Sequence, residues 1–269
     1  MIQFCSEKLR VFQSRMFATN SSIIEFENSV LICDPTWFPD EIQSISDHVN
    51  KHFPKKKKYL FITHLDYDHV WGWPLFQDAF VIAPDLEVFK NQAEKCIKQW
   101  DEWDQEHYVK RAYKPTLPLR IDLALSGDLK FLIDNVEINF VHLPGHTADS
   151  FAAYMPACQI LVVGDYLSDV EIPWIGTTLE DYKSSLLKLR VKVLSENDNI
   201  TLVPSHGQVM TNKSAIEEIV ENSLKYIDNL SQLEADSQEM ISSYIATFPF
   251  PAASWEIHRE NVDTLKPKT

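Results

Sequence analysis

The amino-acid sequence predicts an α/β fold in which two mixed β-sheets pack face to face, with helices outside them in a four-layer αββα sandwich. Short apolar segments typical of strands occur in both halves of the 269-residue chain, and helical segments close each half. Apolar residues make up 45% of the chain, which is sufficient for a sizeable core. We therefore expect a single domain that covers residues 1–269.

The first half contains predicted strands and two predicted helical segments. Strands are expected near residues 11–17, 22–26, 30–33, 59–63 and 79–83. A helix is expected from about Pro39 to Phe53, because Pro39-Asp40-Glu41 is typical of a helix amino terminus. Residues 84–115 are predicted to form a helical insertion. The residues of this insertion that could form a lid over a site, or else face the core or a partner, are Trp100, Trp103, His107 and Tyr108.

Strands and helices also alternate in the second half. Strands are expected near residues 119–121, 129–133, 136–141, 150–155, 159–163 and 201–204. A helix is predicted over residues 178–194, where apolar residues recur at three- and four-residue steps. Residues 212–269 are predicted to form a C-terminal helical tail. Pro249 and Pro251 must interrupt this tail, because proline cannot continue a helix.

The composition argues against several classes of partner. Acidic residues number 39 against 25 basic ones, for a net charge of −14, and a field of this sign repels the phosphate backbone of nucleic acids. The amino terminus has no apolar stretch typical of a signal peptide, and no run approaches a membrane span. The four cysteines include no C-x-x-C pair, which favours a reducing compartment. We expect a cytoplasmic protein that acts on a small molecule and binds neither nucleic acid nor membranes.

A dense group of potential metal ligands follows the apolar segment at residues 59–62. His64, Asp66, Asp68 and His69 all fall within six positions. Imidazole nitrogens and carboxylate oxygens hold zinc, iron or manganese in proteins. A strand end followed by a tight turn can direct these side chains into one space. The alternative is a polar loop that caps a helix, in which the aspartates accept backbone N–H groups.

Three further residues of the same types each follow an apolar segment later in the chain. They are His146 after Leu143-Pro144-Gly145, Asp165 after Val162-Val163-Gly164, and His206 after Val203-Pro204-Ser205. Helix capping at the first motif does not account for this ordered set. Seven ligands from four segments are about what two adjacent metal ions need.

The order of these segments, from about Val30 to Gly207, resembles the metallo-β-lactamase superfamily, whose first motif usually reads H-x-H-x-D-H. The resemblance implies the same αββα fold and two divalent metal ions, with zinc favoured. It assigns His64, Asp66 and His146 to the first metal, Asp68, His69 and His206 to the second, and Asp165 to a position that bridges them.

A ligating histidine usually donates its other N–H group to a fixed acceptor, so residues around the ligands also matter. Asp34 resembles the early strand-end aspartate of the family, which supports the ligands from behind. Thr63, Thr147 and Ser205 are further candidates for this supporting role. The alternative for Asp34 is a simple turn former at the end of a strand.

One position departs from the usual family motif. Asp66 stands where most members carry a second histidine, and a carboxylate there resembles the di-iron branch of the superfamily, whose motif reads H-x-E-x-D-H. A carboxylate-rich site accepts manganese or iron more readily than an all-imidazole site does. An alternative function is therefore a di-iron oxidoreductase. Only 63 residues follow His206 (269 − 206), too few for a flavodoxin-like domain, so such an enzyme would need a separate electron donor.

The favoured function is a dinuclear hydrolase in which a metal-bridging hydroxide attacks a small ester, lactone, thioester or phosphoester. Asp68 is the candidate catalytic residue for protonating the leaving group, and Tyr166 is an alternative donor. A homodimer is possible, since dimers are common among the proteins that this sequence resembles.

Overall fold

The computed structural model describes residues 1–113, 120–191, 199–232 and 235–265. In the described part of the chain the strands are β1 (Ile2–Cys5), β2 (Leu9–Gln13), β3 (Asn20–Glu25), β4 (Ser29–Cys33), β5 (Lys57–Phe61), β6 (Phe80–Pro84), β7 (Leu123–Leu125), β8 (Leu129–Ile133), β9 (Val136–His142), β10 (Phe151–Met155), β11 (Ile160–Val162) and β12 (Thr201–Val203). The α-helices there are α1 (Pro39–His52), α2 (Tyr67–Val70), α3 (Lys90–Glu106), α4 (Leu179–Leu189), α5 (Lys213–Gln232), α6 (Ala235–Ile245) and α7 (Pro251–Thr264).

The strands form two mixed sheets. The first contains seven strands in the order β1-β2-β3-β4-β5-β6-β7, and the second contains five in the order β12-β11-β10-β9-β8. In the first sheet, β1 to β4 pair antiparallel and β4 to β7 pair parallel. In the second sheet, only the pair of β11 and β12 is parallel. Three of the four predicted ligand segments follow strands with a parallel partner, namely β5, β11 and β12, and the fourth, with His146, follows the antiparallel strand β9.

Three hydrophobic clusters separate the four layers. Because side chains alternate between the two faces of a strand, Leu31 of β4 points toward the second sheet while Ile32 points toward the outer helices. The cluster between the sheets contains Phe61 and Phe140, whose ring centroids lie 5.0 Å apart. One outer cluster packs α1 and α3 on the first sheet, and the other packs α4, α5 and α6 on the second. The predicted αββα sandwich is confirmed.

Helix α1 begins where the sequence predicts. Pro39 occupies its first turn, and the Glu41 carboxylate accepts the backbone N–H of Phe38 at 3.2 Å, which satisfies a donor at the helix start. The tail divides into α5, α6 and α7, and the break between α6 and α7 coincides with the two prolines, as predicted. Helix α4 ends at Leu189, and residues 192–194 of the predicted longer helix lie outside the described part.

The strand predicted at 119–121 is wrong in its position. Leu119 lies outside the described residues, Ile121 is not in a strand, and pairing with β6 begins at Leu123. The reason is Asp122, whose carboxylate accepts the backbone N–H of Val81 at 2.8 Å. This side chain takes the place of a ladder hydrogen bond, so regular strand pairing starts one residue later.

Helix α3 of the insertion packs on the first metal-ligand motif. The Trp100 indole N–H donates to the Tyr67 carbonyl at 3.0 Å, and the Trp103 ring lies 5.2 Å from that of Trp71. The Arg111 guanidinium stacks 3.6 Å from the centroid of Trp71. Trp100 and Trp103 therefore face the core rather than form a lid, whereas Tyr108 is 93% exposed. In the described part of the chain, no helix has the length and apolar character needed to cross a membrane.

Candidate metal centre

The first motif leaves the sheet at the end of β5. His64 and His69 are fully buried, and Asp68 is nearly so. The loop between them is held by Leu65, which is itself buried and donates its backbone N–H to the Asp149 carboxylate at 2.8 Å. This buried anchor allows the residues on either side of Leu65 to project toward one space.

The later residues reach the same space from the second sheet. His146 follows β9, Asp165 follows β11 and His206 follows β12. The loop before His146 requires glycine, because Gly145 has a φ of +149° and a Cβ there would lie 2.5 Å from the Tyr166 hydroxyl oxygen. All seven predicted ligands therefore meet at one edge of the sandwich.

Two groups of ligand atoms can be distinguished. His64, Asp66 and His146 offer atoms within 4.8 Å of one another, as do Asp68, His69 and His206. In the first group, the Asp66 carboxylate lies 3.4 Å from His146 Nε2. In the second group, the Asp68 carboxylate lies 3.3 Å from His69 Nε2 and 3.5 Å from His206 Nε2. The structure thus brings together each trio that the resemblance assigns to one metal.

Asp165 lies between the two groups. Its Oδ2 is 3.1 Å from His146 Nε2 and 3.4 Å from His206 Nε2. Its Oδ1 is 3.2 Å from His69 Nε2. This carboxylate is therefore the one positioned to contact cations in both groups.

The Nδ1 atom of each of these histidines has an oxygen partner on the outer side. His69 Nδ1 lies 3.2 Å from Asp34 Oδ2, and His64 Nδ1 lies 2.9 Å from Thr63 Oγ1, which in turn donates to Asp34 at 2.7 Å. The other two partners are backbone carbonyls. Trp174 O lies 3.1 Å from His146 Nδ1, and Phe17 O lies 3.0 Å from His206 Nδ1.

The Nε2 atoms face inward, and several are buried without a hydrogen-bond partner. They are the Nε2 atoms of His64, His69 and His146, and Asp165 Oδ1 shares this property. Buried polar atoms without partners carry a free-energy cost unless something satisfies them. A metal-binding imidazole requires an Nδ1–H group that donates to an oxygen acceptor and an Nε2 atom that faces inward without a hydrogen-bond partner. The residues present therefore fit a pair of divalent cations.

The ionisable groups of the site strongly shift one another's pKa values. Burial opposes charge on the His206 imidazole, but the Glu171 and Asp165 carboxylates outweigh burial and raise its pKa to about 10. The pKa values of His69 and His146 are also raised well above the ordinary value, against burial, by the surrounding aspartates. His64 differs, because burial and the neighbouring His69 lower its pKa to about 4. An incoming cation must compete with protons on three of the four imidazoles.

The four predicted supporting residues have different surroundings. Asp34 contacts His69, and Thr63 contacts His64. Thr147 Oγ1 instead lies 2.7 Å from Ser150 Oγ, and Ser205 uses its backbone to bond Asn20 and Gly164. Thr147 and Ser205 thus hold the loops, while backbone carbonyls hold the imidazoles beside them. Tyr166, the alternative proton donor, is fully buried and donates its hydroxyl to the Leu143 carbonyl at 2.9 Å.

Sequence reasoning missed several residues of the site. Glu171 groups with Asp165 and His206 within 4.8 Å, and Asp149 anchors the first motif. Trp174, which is 40% exposed, lies with its ring centroid 5.8 Å from that of His146. The only sequence signal for Glu171 and Asp149 was that each acidic residue follows a ligand by a few positions. Nothing in the local pattern indicated a role for Trp174.

Comparisons with known proteins identify the class of this chain. The metallo-beta-lactamase superfamily matches residues 15–218. The "Beta-lactamase-like protein 2 homolog" of Caenorhabditis elegans is 21% identical over 233 residues, which cover 86% of this chain and 68% of that protein. The "Hydroxyacylglutathione hydrolase GloC" of Haemophilus influenzae is 24% identical over 204 residues, which cover 72% of this chain and 88% of that protein.

A solved structure shows the same fold. The metallo-beta-lactamase from Pontibacter korlensis is similar with a TM-score of 0.58 at 16% identity, covering 84% of this chain and 98% of that one. The protein belongs to the metallo-β-lactamase superfamily, and it is a metal-dependent hydrolase of that class.

Proposed function

We propose that this protein is a dinuclear hydrolase that cleaves a small ester, lactone, thioester or phosphoester. The observation that carries the proposal is the set of inward, unpartnered Nε2 atoms around Asp165. When bound, two divalent cations would supply hydroxide at neutral pH and polarise the attacked carbonyl or phosphoryl oxygen. Zinc is the favoured ion, with manganese or iron as alternatives because of Asp66.

The side chains have distinct roles in this proposal. His64, Asp66 and His146 hold one cation, Asp68, His69 and His206 hold the other, and Asp165 contacts both. Asp34 keeps His69 oriented directly and His64 through Thr63. Asp68, whose buried carboxylate borders the second group of ligands, accepts the proton of the attacking water and passes it to the leaving group. The proposed reaction does not require a serine or cysteine nucleophile.

The rim of the site favours a substrate with an apolar part and little negative charge. Trp174 and Phe17 present side chains that are 40% and 53% exposed, and their carbonyls hold His146 and His206. A net charge of −14 disfavours strongly anionic substrates. Since the relative from Haemophilus influenzae is named for a hydroxyacylglutathione, an acyl thioester is a natural first substrate to test.

The test is a panel of p-nitrophenyl esters, acyl thioesters, lactones and phosphate esters with protein loaded with zinc, manganese or iron. We expect metal-dependent hydrolysis of at least one class, abolished by chelation and by Asp165→Ala. A matched control is Asp47→Ala, which removes an exposed aspartate on α1. If every hydrolysis assay is blank while the iron form reduces oxygen or nitric oxide with a separate electron donor, the di-iron oxidoreductase replaces this proposal.

A further inference from the structure

Glu171 provides a carboxylate at the metal centre in addition to the seven ligands predicted from the sequence motifs. It offers an oxygen within 4.8 Å of ligand atoms of both Asp165 and His206. His206 belongs to the second group of ligands, and Asp165 lies between the two groups. Glu171 is therefore linked through His206 to the group that Asp68 and His69 form, and through Asp165 to the position between the two groups.

The backbone around Glu171 is held in place from several directions. The Ser168 hydroxyl oxygen accepts the N–H groups of Val170 at 3.1 Å and of Glu171 at 3.3 Å. The next residue, Ile172, is 1% exposed and anchors the segment in the outer hydrophobic cluster. A carboxylate on a segment fixed at both sides is presented at a constant distance from His206, as a ligand must be.

We propose that Glu171 is an additional metal ligand, which binds the cation held by Asp68, His69 and His206. With Asp66, Asp68 and Asp165 it makes four carboxylates, whose total charge balances two divalent cations. Such a donor set is harder than an imidazole-rich one, so the second position accepts manganese or iron(II) more readily than an imidazole-rich site does. This inference rests on the dinuclear site of the proposed function.

The test measures metal binding rather than activity. Chelator-stripped protein is titrated with Mn²⁺, and the free ion is followed by electron paramagnetic resonance. We expect the unmodified chain to bind two ions. Glu171→Gln, which keeps the shape but removes the charge, is expected to bind one ion with unchanged Kd and the other at least about 10-fold more weakly. Glu180→Gln, at an exposed glutamate in the first turn of α4, is the matched control and is expected to bind as the unmodified chain does.

A second variant distinguishes the loss of the Glu171 charge from misfolding. Glu171→Asp keeps the charge on a shorter side chain and is expected to weaken the second ion less than Glu171→Gln does, with circular dichroism unchanged in both. Two ions with unchanged Kd values in Glu171→Gln would overturn the assignment. An equal increase in the Kd values of both ions would overturn it as well, since a loosened loop affects both positions.

The outcomes also separate this inference from the proposed function. If the unmodified chain binds only one ion, the dinuclear site and the role of Glu171 are both wrong. If it binds two ions and Glu171→Gln loses one, but no substrate class is hydrolysed, then only the proposed function is wrong. If hydrolysis occurs with two ions and Glu171→Gln retains both, only the inference about Glu171 is wrong.

Discussion

Asp66 is the residue that distinguishes this site from the usual motif of the superfamily. Its Oδ2 lies 3.4 Å from His146 Nε2 and 3.9 Å from His64 Nε2, so it occupies the position of a ligand beside two imidazoles. Burial opposes its ionisation, but hydrogen bonding to His146 and the charge of His64 outweigh burial and hold its pKa well below the ordinary value. Asp66 therefore contributes a full negative charge to the first group of ligands.

Replacing this charge is expected to change the pH dependence of hydrolysis. Asp66→His removes an anion from the site, so the water bound there becomes more acidic, and the rising limb of the pH–rate profile moves about 1 pH unit lower. Asp66→Asn keeps an oxygen donor without the charge and is expected to move the limb in the same direction. A rising limb that stays in place in both variants would show that the charge of Asp66 does not govern the nucleophile.

Asp34 supports two imidazoles at once, which makes it a sensitive position. Its carboxylate contacts His69 Nδ1 directly and reaches His64 through the Thr63 hydroxyl. We expect Asp34→Ala to weaken metal binding by about 10- to 100-fold, because both rings lose their fixed orientation. Isothermal titration with zinc measures the effect, and Asp47→Ala serves as the exposed control. Unchanged affinity would reduce Asp34 to a turn former.

Proton release on metal binding follows from the raised pKa values of the imidazoles. At pH 7.5 His206, whose pKa is about 10, carries a proton, and the pKa values of His69 and His146 are raised as well. A ligating imidazole must be neutral, so metal uptake by apo protein is expected to release protons. Apparent affinity should therefore increase as the pH rises toward 10. Titration calorimetry in buffers of different ionisation enthalpy counts the protons, and a count near zero contradicts this charge assignment.

At the scale of secondary-structure elements, the C-terminal helix α7 supports the metal centre. Asn261 of α7 is fully buried, accepts the backbone N–H of Ile175 at 2.8 Å and donates to the Pro173 carbonyl at 2.7 Å. Between these two residues lies Trp174, whose carbonyl holds His146. Helix α7 is thus connected through a single side chain to the segment that holds His146, a proposed metal ligand.

Asn261→Leu is expected to affect both stability and metal binding. It leaves the N–H of Ile175 and the carbonyl of Pro173 without partners in a buried place, which costs about 2 to 3 kcal/mol in the free energy of unfolding. It should also lower the binding affinity for the ion at His146 more than the affinity for the ion at His206. Urea denaturation and metal titration measure these effects, with Asn91→Leu at an exposed position of α3 as the control. Wild-type values in both measurements would exclude the supporting role of α7.

At the scale of the whole molecule, electrostatic repulsion is the dominant long-range effect. Two bound divalent cations would change the net charge only from −14 to −10. The surface field therefore opposes the approach of anionic substrates even when the metal centre is filled. The field of this charge extends over about 10 Å at moderate ionic strength and is screened by salt, so varying the salt concentration tests this repulsion.

We expect salt to increase kcat/KM for an anionic ester and to leave that for a neutral ester unchanged. A suitable pair is p-nitrophenyl hemisuccinate and p-nitrophenyl acetate, compared between about 0.02 M and about 0.3 M salt, with an increase of about threefold for the anion. A decrease for the anionic ester would instead indicate a local basic patch at the mouth of the site.

The convergence of the candidate ligands could be predicted from the sequence because its signals are local. His64, Asp68 and His69 lie within six positions, and His146, Asp165 and His206 each follow a strand, so residue type and strand position sufficed to group them. The sandwich was equally accessible, since alternation within strands and helical spacing depend only on neighbouring residues. The strand before β8 was misplaced because Asp122 alters the ladder to β6, and this contact is not local in sequence.

Sequence alone therefore determined the residue types of the metal centre, their order and the layers that carry them. The tertiary structure decided which oxygen meets each imidazole, that Trp100 and Trp103 belong to the core, and that Glu171 borders His206. The physical reason is that these contacts join residues far apart in the chain, often through backbone carbonyls. Every residue has a backbone carbonyl, so its use as a partner leaves no mark in the sequence.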